Sequence, residues 1–237
     1  MASVAIISGG MDSVTLAHHM KKNLGQAEVY GIGFNYGQRH QKELAYASLL
    51  VEDGILIDYK TVDLRVLQDL LGASVLTDHE REVPDGHYAE ESMKQTVVPN
   101  RNMIMLSMAI GYAVTLEAAD GVWTGVHSGD HFIYPDCRPI FIQKVAETAR
   151  VANEGFMEWT TDAVIAPFLG GGKHDIAALG AEIDVDYRKT WSCYKGGQIH
   201  CGRCGTCVER KEAFRLSEVI DPTEYADPNF EIEAYRG

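Results

Sequence analysis

Residues 3–13 read Ser-Val-Ala-Ile-Ile-Ser-Gly-Gly-Met-Asp-Ser, and this stretch decides the fold. An apolar, β-branched run, Val4 to Ile7, stops at Ser8-Gly9-Gly10. Helical spacing of Val14, Leu16, Ala17 and Met20 then starts from Asp12-Ser13. A strand, a tight glycine loop and a helix N-terminus thus follow one another directly. Glycines let the backbone approach a ligand closely, and the loop N–H groups join the helix dipole to form an anion site. Ser8 and Ser13 add hydroxyls, and Asp12 suits a helix cap or a magnesium ligand. A kinase-type phosphate loop needs Gly-Lys-Ser/Thr after four intervening residues, and that pattern is absent.

Outward from this loop, strand and helix patterns alternate. Residues 28–35 read as a second strand, followed by Tyr36-Gly37-Gln38-Arg39-His40 and a helix over 41–51. A third strand is expected over 55–62, and Val66, Leu67, Leu70 and Leu71 mark a short helix. Residues 73–98 hold few large apolar side chains and read as a long loop, either a lid over a nucleotide or plain disorder. After Pro99-Asn100-Arg101-Asn102 comes an apolar helix, 103–116, then a strand over 121–126, a helix over 140–152, a strand at 164–166 and a helix over 173–183. The pattern defines an α/β fold, a doubly wound and mostly parallel sheet. Ligands of such sheets bind at the carboxyl ends of the strands, where the strand order reverses. Three loops, at 8–13, 36–40 and 127–138, converge there. The whole of 1–237 reads as one domain with a cysteine appendage at about 190–210.

Lys plus Arg number 21 and Asp plus Glu 34, a net charge of −13, with no basic run longer than two residues. Tight RNA binding depends on phosphate neutralisation, so this balance favours a small-molecule substrate. The first apolar run is too short for a secretion signal, and no stretch has the length of a membrane span, so the chain is expected to be cytoplasmic.

Four of the five cysteines, Cys193, Cys201, Cys204 and Cys207, fall within fifteen residues. Spacing of two residues between them is metal-ligand spacing, and neighbouring glycines free the turns that a closed structural zinc knuckle needs. An iron–sulfur cluster is the competing reading, because sets of four cysteines bind both. His200 reads as a bystander. In the segment from His127 to Pro139, a purine-like ring could stack on Phe132 or Tyr134, with Asp130 or Asp136 accepting from its N–H edge and Arg138 pairing with an anion. The alternative for that segment is a rigid turn between prolines. Cys137, beside Asp136, reads as a small buried residue rather than a nucleophile.

Ser-Gly-Gly-x-Asp-Ser resembles the PP-loop of ATP pyrophosphatases, which cleave ATP between its α- and β-phosphates. With Tyr36-Gly37-Gln38-Arg39-His40, Val98-Pro99-Asn100-Arg101-Asn102, Tyr134-Pro135-Asp136-Cys137-Arg138 and Trp191-Ser192-Cys193-Tyr194 ahead of Cys-Gly-x-Cys-x-x-Cys, nearly the whole chain resembles the 7-cyano-7-deazaguanine synthase family, QueC. The resemblance implies ATP-dependent conversion of 7-carboxy-7-deazaguanine and ammonia to the nitrile preQ0, one zinc on the four cysteines, and a homodimer. It implies ATP and Mg2+ at Ser8, Gly9, Gly10, Met11, Asp12 and Ser13. Asp12, Ser13, Arg101 and Lys173 are the implied catalytic groups, and Tyr36, Gln38, Arg101, Asp130, Phe132, Tyr134, Asp136 and Arg138 the substrate contacts. His127 and Asp130-His131-Phe132-Ile133 stand where many members carry Asn and Asp-Tyr-Ser-Gly. That departure leaves open a member that transfers the activated acid to another amine, on a protein or nucleic acid. A transfer-RNA thiolase-like enzyme is a further alternative, and it would require an uncommitted thiol.

Overall fold

The computed structural model describes residues 2–67, 74–78, 80–87, 91–116, 119–131 and 133–230. Five parallel strands, β1 (Ala2–Ile6), β2 (Glu28–Asn35), β3 (Asp58–Asp63), β4 (Ala119–Trp123) and β5 (Val164–Ile165), lie in the order β3-β2-β1-β4-β5. From β1 the chain runs outward through β2 and β3, then returns to lay β4 on the other side of β1. The order reverses between β1 and β4, so the loops leaving these two strands face one crevice.

Six helices complete the described layers: α1 (Met11–Lys22), α2 (Lys42–Glu52), α3 (Arg101–Val114), α4 (Pro139–Ala152), α5 (Lys173–Glu182) and α6 (Gly205–Leu216). Alternation along β1 explains how both faces are covered. Ala5 points into a core with Leu16 of α1, Leu50 of α2, Ile176 of α5 and Phe214 of α6. Val4 points the other way, toward Leu106 and Ala109 of α3 and Ile142 and Val145 of α4. The expected doubly wound sheet is present.

Boundaries move where apolar runs mislead. Ile55 and Leu56 are buried, but both donate their N–H to Leu50 O at the end of α2, so β3 starts only at Asp58. β4 begins two residues earlier than expected, and its pairing with β1 shifts register around Gly121, at φ +103°. Of the expected short helix, Arg65–Leu67 forms one turn and the rest lies outside the described residues. In the described parts of 73–98, Val75, Leu76, Val83 and Met93 are buried, and Arg39 donates to the carbonyls of Val75, Asp78 and Arg81. These stretches form neither a detached lid nor an unstructured loop.

Among the described residues, no helix is long and apolar enough to cross a membrane.

Candidate functional site

The glycine loop hangs directly from β1. Ser13 Oγ accepts from the backbone N–H of Ser8 and Gly9, each at 3.2 Å, and donates to Gly10 O at 3.1 Å. Ser8 Oγ accepts from Gly10 N at 3.2 Å. The two serines therefore shape the loop as well as lining it. Gly9, at φ +92°, has a reason the sequence hid: a Cβ there would lie 2.0 Å from Glu43 O on α2. Asp12 is not the cap. Gly10 takes that position without a side-chain bond, leaving Asp12 free to face the crevice.

A cleft of about 220 Å³ opens above this loop. One wall carries a buried ion cluster. Lys173, at the first turn of α5, lies 3.2 Å from Asp12 Oδ2 and 2.6 Å from Glu209 Oε2 on α6. Burial alone would pull Lys173 down, but the carboxylates of Asp12, Glu209 and Asp130 hold it well above the usual lysine range. His127 Nδ1 accepts from Gly129 N at 3.1 Å, so the ring proton sits on Nε2. That nitrogen is 3.9 Å from Asp12 Oδ2 and 3.7 Å from Asp130 Oδ2. Among the described residues Asp12 Oδ1 is buried without a hydrogen-bond partner, a donor atom left available to a cation.

Another part of the cleft lining is aromatic. Arg101, at the start of α3, lies against the rings of Tyr36 (5.8 Å) and Tyr134 (5.5 Å). Among the described residues, no carboxylate is within ion-pair distance of its guanidinium, which leaves it suited to an anionic ligand. Trp191 and Tyr194 add apolar surface. Trp191 N donates to Gly9 O at 2.9 Å, which ties the cysteine segment to the glycine loop.

Cleft-lining residues include Ser8, Gly10, Met11, Asp12, Ser13, Tyr36, Arg101, Asp130, Tyr134 and Lys173 from the sequence-based candidates. Four other candidates do not line it, the first being Gly9, which packs against the Glu43 carbonyl of α2. Gln38 is fully buried, accepting from Tyr36 N and donating to Phe34 O and Glu43 Oε1, so it braces its own loop. Asp136 accepts from Asn102 N at 3.1 Å and receives Asn102 Nδ2 on its carbonyl, which anchors the start of α3 beside Arg101. Arg138 is exposed at the start of α4. Phe132 lies outside the described residues. Glu43, His40 and Glu209 were missed. His40 ends the Tyr-Gly-Gln-Arg-His motif and Glu43 follows it by three residues, which was a usable signal; Glu209, beyond the last cysteine, had none.

Burial keeps His40 neutral, lowered to about 3 with Arg101 adding to the effect, and raises Glu43 to about 8 against the pull of Gln38 and Arg101. His18, buried near Lys22, falls to about 4. These shifts have opposite signs for stability. Below the ordinary histidine value of 6.5, the unfolded chain takes up protons that folded His18 and His40 refuse, so acidification costs stability. Folded Glu43 keeps its proton up to about 8 where the unfolded chain loses it near 4.5, so stability falls as pH rises through that window. His19 and His200 are lowered by burial as well, so four histidines outweigh one carboxyl below pH 6.5, and Glu43 acts alone above it. Ligand-free protein is expected to melt highest near pH 6.5, stability falling by about 1.4 kcal/mol per pH unit on the alkaline flank and more steeply on the acid one. Thermal denaturation from pH 5 to 8 measures this, and a melting point that climbs steadily to pH 8 contradicts it.

The four cysteines of the appendage lie with all Sγ atoms within 4.8 Å of one another. Cys201 and Cys207 Sγ are 3.8 Å apart, and a tetrahedral ion with metal–sulfur bonds of ~2.3 Å has an edge of ~3.8 Å. Backbone N–H groups of Cys201, Arg203 and Cys204 point at the sulfurs at 3.3–3.4 Å, as thiolates require. The set can hold a metal ion.

A glycine loop at the switch point of a parallel sheet, with lysine and arginine buried across one cleft, defines an α/β enzyme of the PP-loop class. Residues 2–218 match the model of queuosine biosynthesis protein QueC, and the chain belongs to that family. The 7-cyano-7-deazaguanine synthase of Rhizobium meliloti (strain 1021) is 52% identical, over 99% of this chain and 96% of that protein. The corresponding synthase of Paracoccus denitrificans (strain Pd 1222) is 48% identical, over 97% of this chain and 95% of its own length. Among solved structures, a transfer-RNA thiolase from Methanococcus maripaludis is similar with a TM-score of 0.47 and 16% identity, covering 98% of this chain and 78% of that one.

Proposed function

We propose that the chain makes 7-cyano-7-deazaguanine from 7-carboxy-7-deazaguanine, ammonia and ATP. The observation that carries this reading is the single cleft joining the Ser8–Ser13 loop to an aromatic wall bearing Arg101, within a family whose relatives are named for that synthesis. Arg101 takes the substrate carboxylate, and the loop with Lys173 takes the polyphosphate. A carboxylate oxygen attacks the α-phosphorus of ATP, pyrophosphate leaves, and the oxygen becomes part of a good leaving group. Ammonia displaces AMP to give the amide and a proton. Attack by the amide oxygen on a second ATP releases pyrophosphate, and loss of AMP with the remaining N–H protons leaves the nitrile. Positioning and charge stabilisation carry most of this chemistry. Magnesium, held through Asp12, would screen the departing pyrophosphate; the unpartnered Oδ1 supports this assignment.

A zinc ion on Cys193, Cys201, Cys204 and Cys207 is part of the same reading, supported by sulfur spacing too tight for the separate corners of a four-iron cluster. The appendage and the α/β body act as one domain, because Trp191 lines the cleft. A homodimer and a cytoplasmic setting complete the reading. Ile140 and Val151, three helical turns apart on one exposed face of α4, support the former.

The alternative acceptors are not favoured by relatives about half identical over their full length. A thiolase also lacks a suitable thiol: Cys137 is buried, and burial together with Asp130 pushes it well up, away from the thiolate. Incubation with the acid, ATP, magnesium and ammonium, followed by mass spectrometry, tests the proposal. The nitrile is expected, with two AMP formed per product. An amide or adenylate that never proceeds to nitrile would overturn it.

A further inference from the structure

The deazaguanine ring presents two neighbouring donors, N1–H and the 2-amino group, and a buried site must give both an acceptor. Asp136, the acceptor suggested by sequence, is committed to the start of α3 and lies off the cleft. Among the described residues, three carboxylates line the cleft: Asp12, Asp130 and Glu43. Asp12 pairs with Lys173, and Asp130 faces His127 and the same lysine. Glu43 is different. Its side chain is 10% exposed, and its only charged-type neighbour within 4 Å among the described residues is His40, at 3.5 Å, which burial keeps neutral. Gln38 Nε2 donates to Glu43 Oε1 at 3.3 Å and fixes the carboxyl plane. The ring of His40 packs on Tyr194 with centroids 5.1 Å apart, so the carboxyl stands beside the aromatic wall on which a flat ring would lie.

We infer that Glu43 is a specificity-determining residue that reads the N1–H and 2-amino edge of the deazaguanine acid, while Arg101 holds the acid's 7-carboxylate. Gln38 and His40 are positioning residues for that carboxyl. The inference rests on the proposed synthesis and adds the group that recognises the base. Glu43 holds its proton in the ligand-free site, with Arg101 near enough to favour the anion but outside ion-pair distance. Two arriving N–H donors favour the ionised carboxylate, and a substrate lacking the 2-amino group leaves one of its oxygens unpaired.

The test compares 7-carboxy-7-deazaguanine with its analogue lacking the 2-amino group, in the full-length protein and in Glu43→Gln. The wild type is expected to show a KM about ten- to a hundredfold higher for the analogue. Glu43→Gln turns an amide N–H against one substrate donor, so its KM for the guanine-type acid rises by a similar factor. The preference for the 2-amino substrate disappears or reverses, and the KM for ATP stays unchanged. Glu43→Asp, which keeps a carboxyl able to ionise but withdraws it, should weaken both acids while preserving their order. Equal weakening of both acids by Glu43→Gln, or no weakening, overturns the inference alone. A wild type that uses neither acid overturns the proposed synthesis and this inference together.

Discussion

Asp12→Ala is expected to lower acid-dependent formation of AMP and pyrophosphate about a hundred- to a thousandfold, with little change in melting temperature. Asp12 sits on the cleft side of the first turn of α1, a quarter exposed, so its removal opens no core cavity. It does remove the carboxylate 3.2 Å from Lys173, leaving Glu209, at 2.6 Å, to hold the lysine from the other side of the ion cluster. It also removes the buried Oδ1, the atom assigned to magnesium. Loss of one preorganised group aimed at developing charge costs about that factor. Ser13→Ala should be comparably inactive by another route. Its Oγ holds the N–H groups of Ser8 and Gly9, and without it the loop loses its shape. Pyrophosphate release and nucleotide analysis give the readout, and cleavage should require the acid. Products of ADP and phosphate, or full activity in Asp12→Ala, would remove the PP-loop mechanism.

Cys204→Ser, or complete metal removal, should destabilise the protein more than any single change in the cleft. Closed four-thiolate zinc sites contribute on the order of 10 kcal/mol to folding, comparable with the whole stability of a typical domain. Here the appendage is also part of the site's frame. Arg210 of α6, fully buried, donates to Thr190 Oγ1, Ser192 Oγ and Tyr187 O, and Trp191 between them bonds the glycine loop. Metal analysis should give one zinc per chain. Chelation should lower the melting temperature and activity together, whereas residual folded Cys204→Ser protein should keep a near-normal KM for the acid. Visible absorption of an iron–sulfur kind, or unchanged melting and activity after full metal removal, would falsify the assignment.

The local pattern was legible wherever one physical rule dominates. Period-two and period-3.6 apolar spacing located the described strands and five of the six described helices to within a few residues, while α6, behind the cysteines, was not foreseen; loops after strands had to gather at one sheet edge. It failed where a residue's partner is remote. Ile55 and Leu56 look like strand because burial, not extension, selects apolar side chains; they are buried against the end of α2. Asp136 looked like a base reader because a carboxylate in an aromatic loop is chemically suited to that, yet Asn102, thirty-four positions away, claims it.

The sequence by itself determined the parallel α/β class, the anion loop, the cysteine set and the arginine and lysine that belong with them, because each is a short-range pattern with its own chemistry. Only the tertiary structure decided which carboxylates are spoken for. Lys173 meets Asp12 and Glu209 across distances of 161 and 36 residues, and that contact consumes their charge. Glu43 is left buried beside a neutral histidine because α2 packs its backbone onto Gly9. Charge is written residue by residue, but its pairing depends on which helices the sheet brings together.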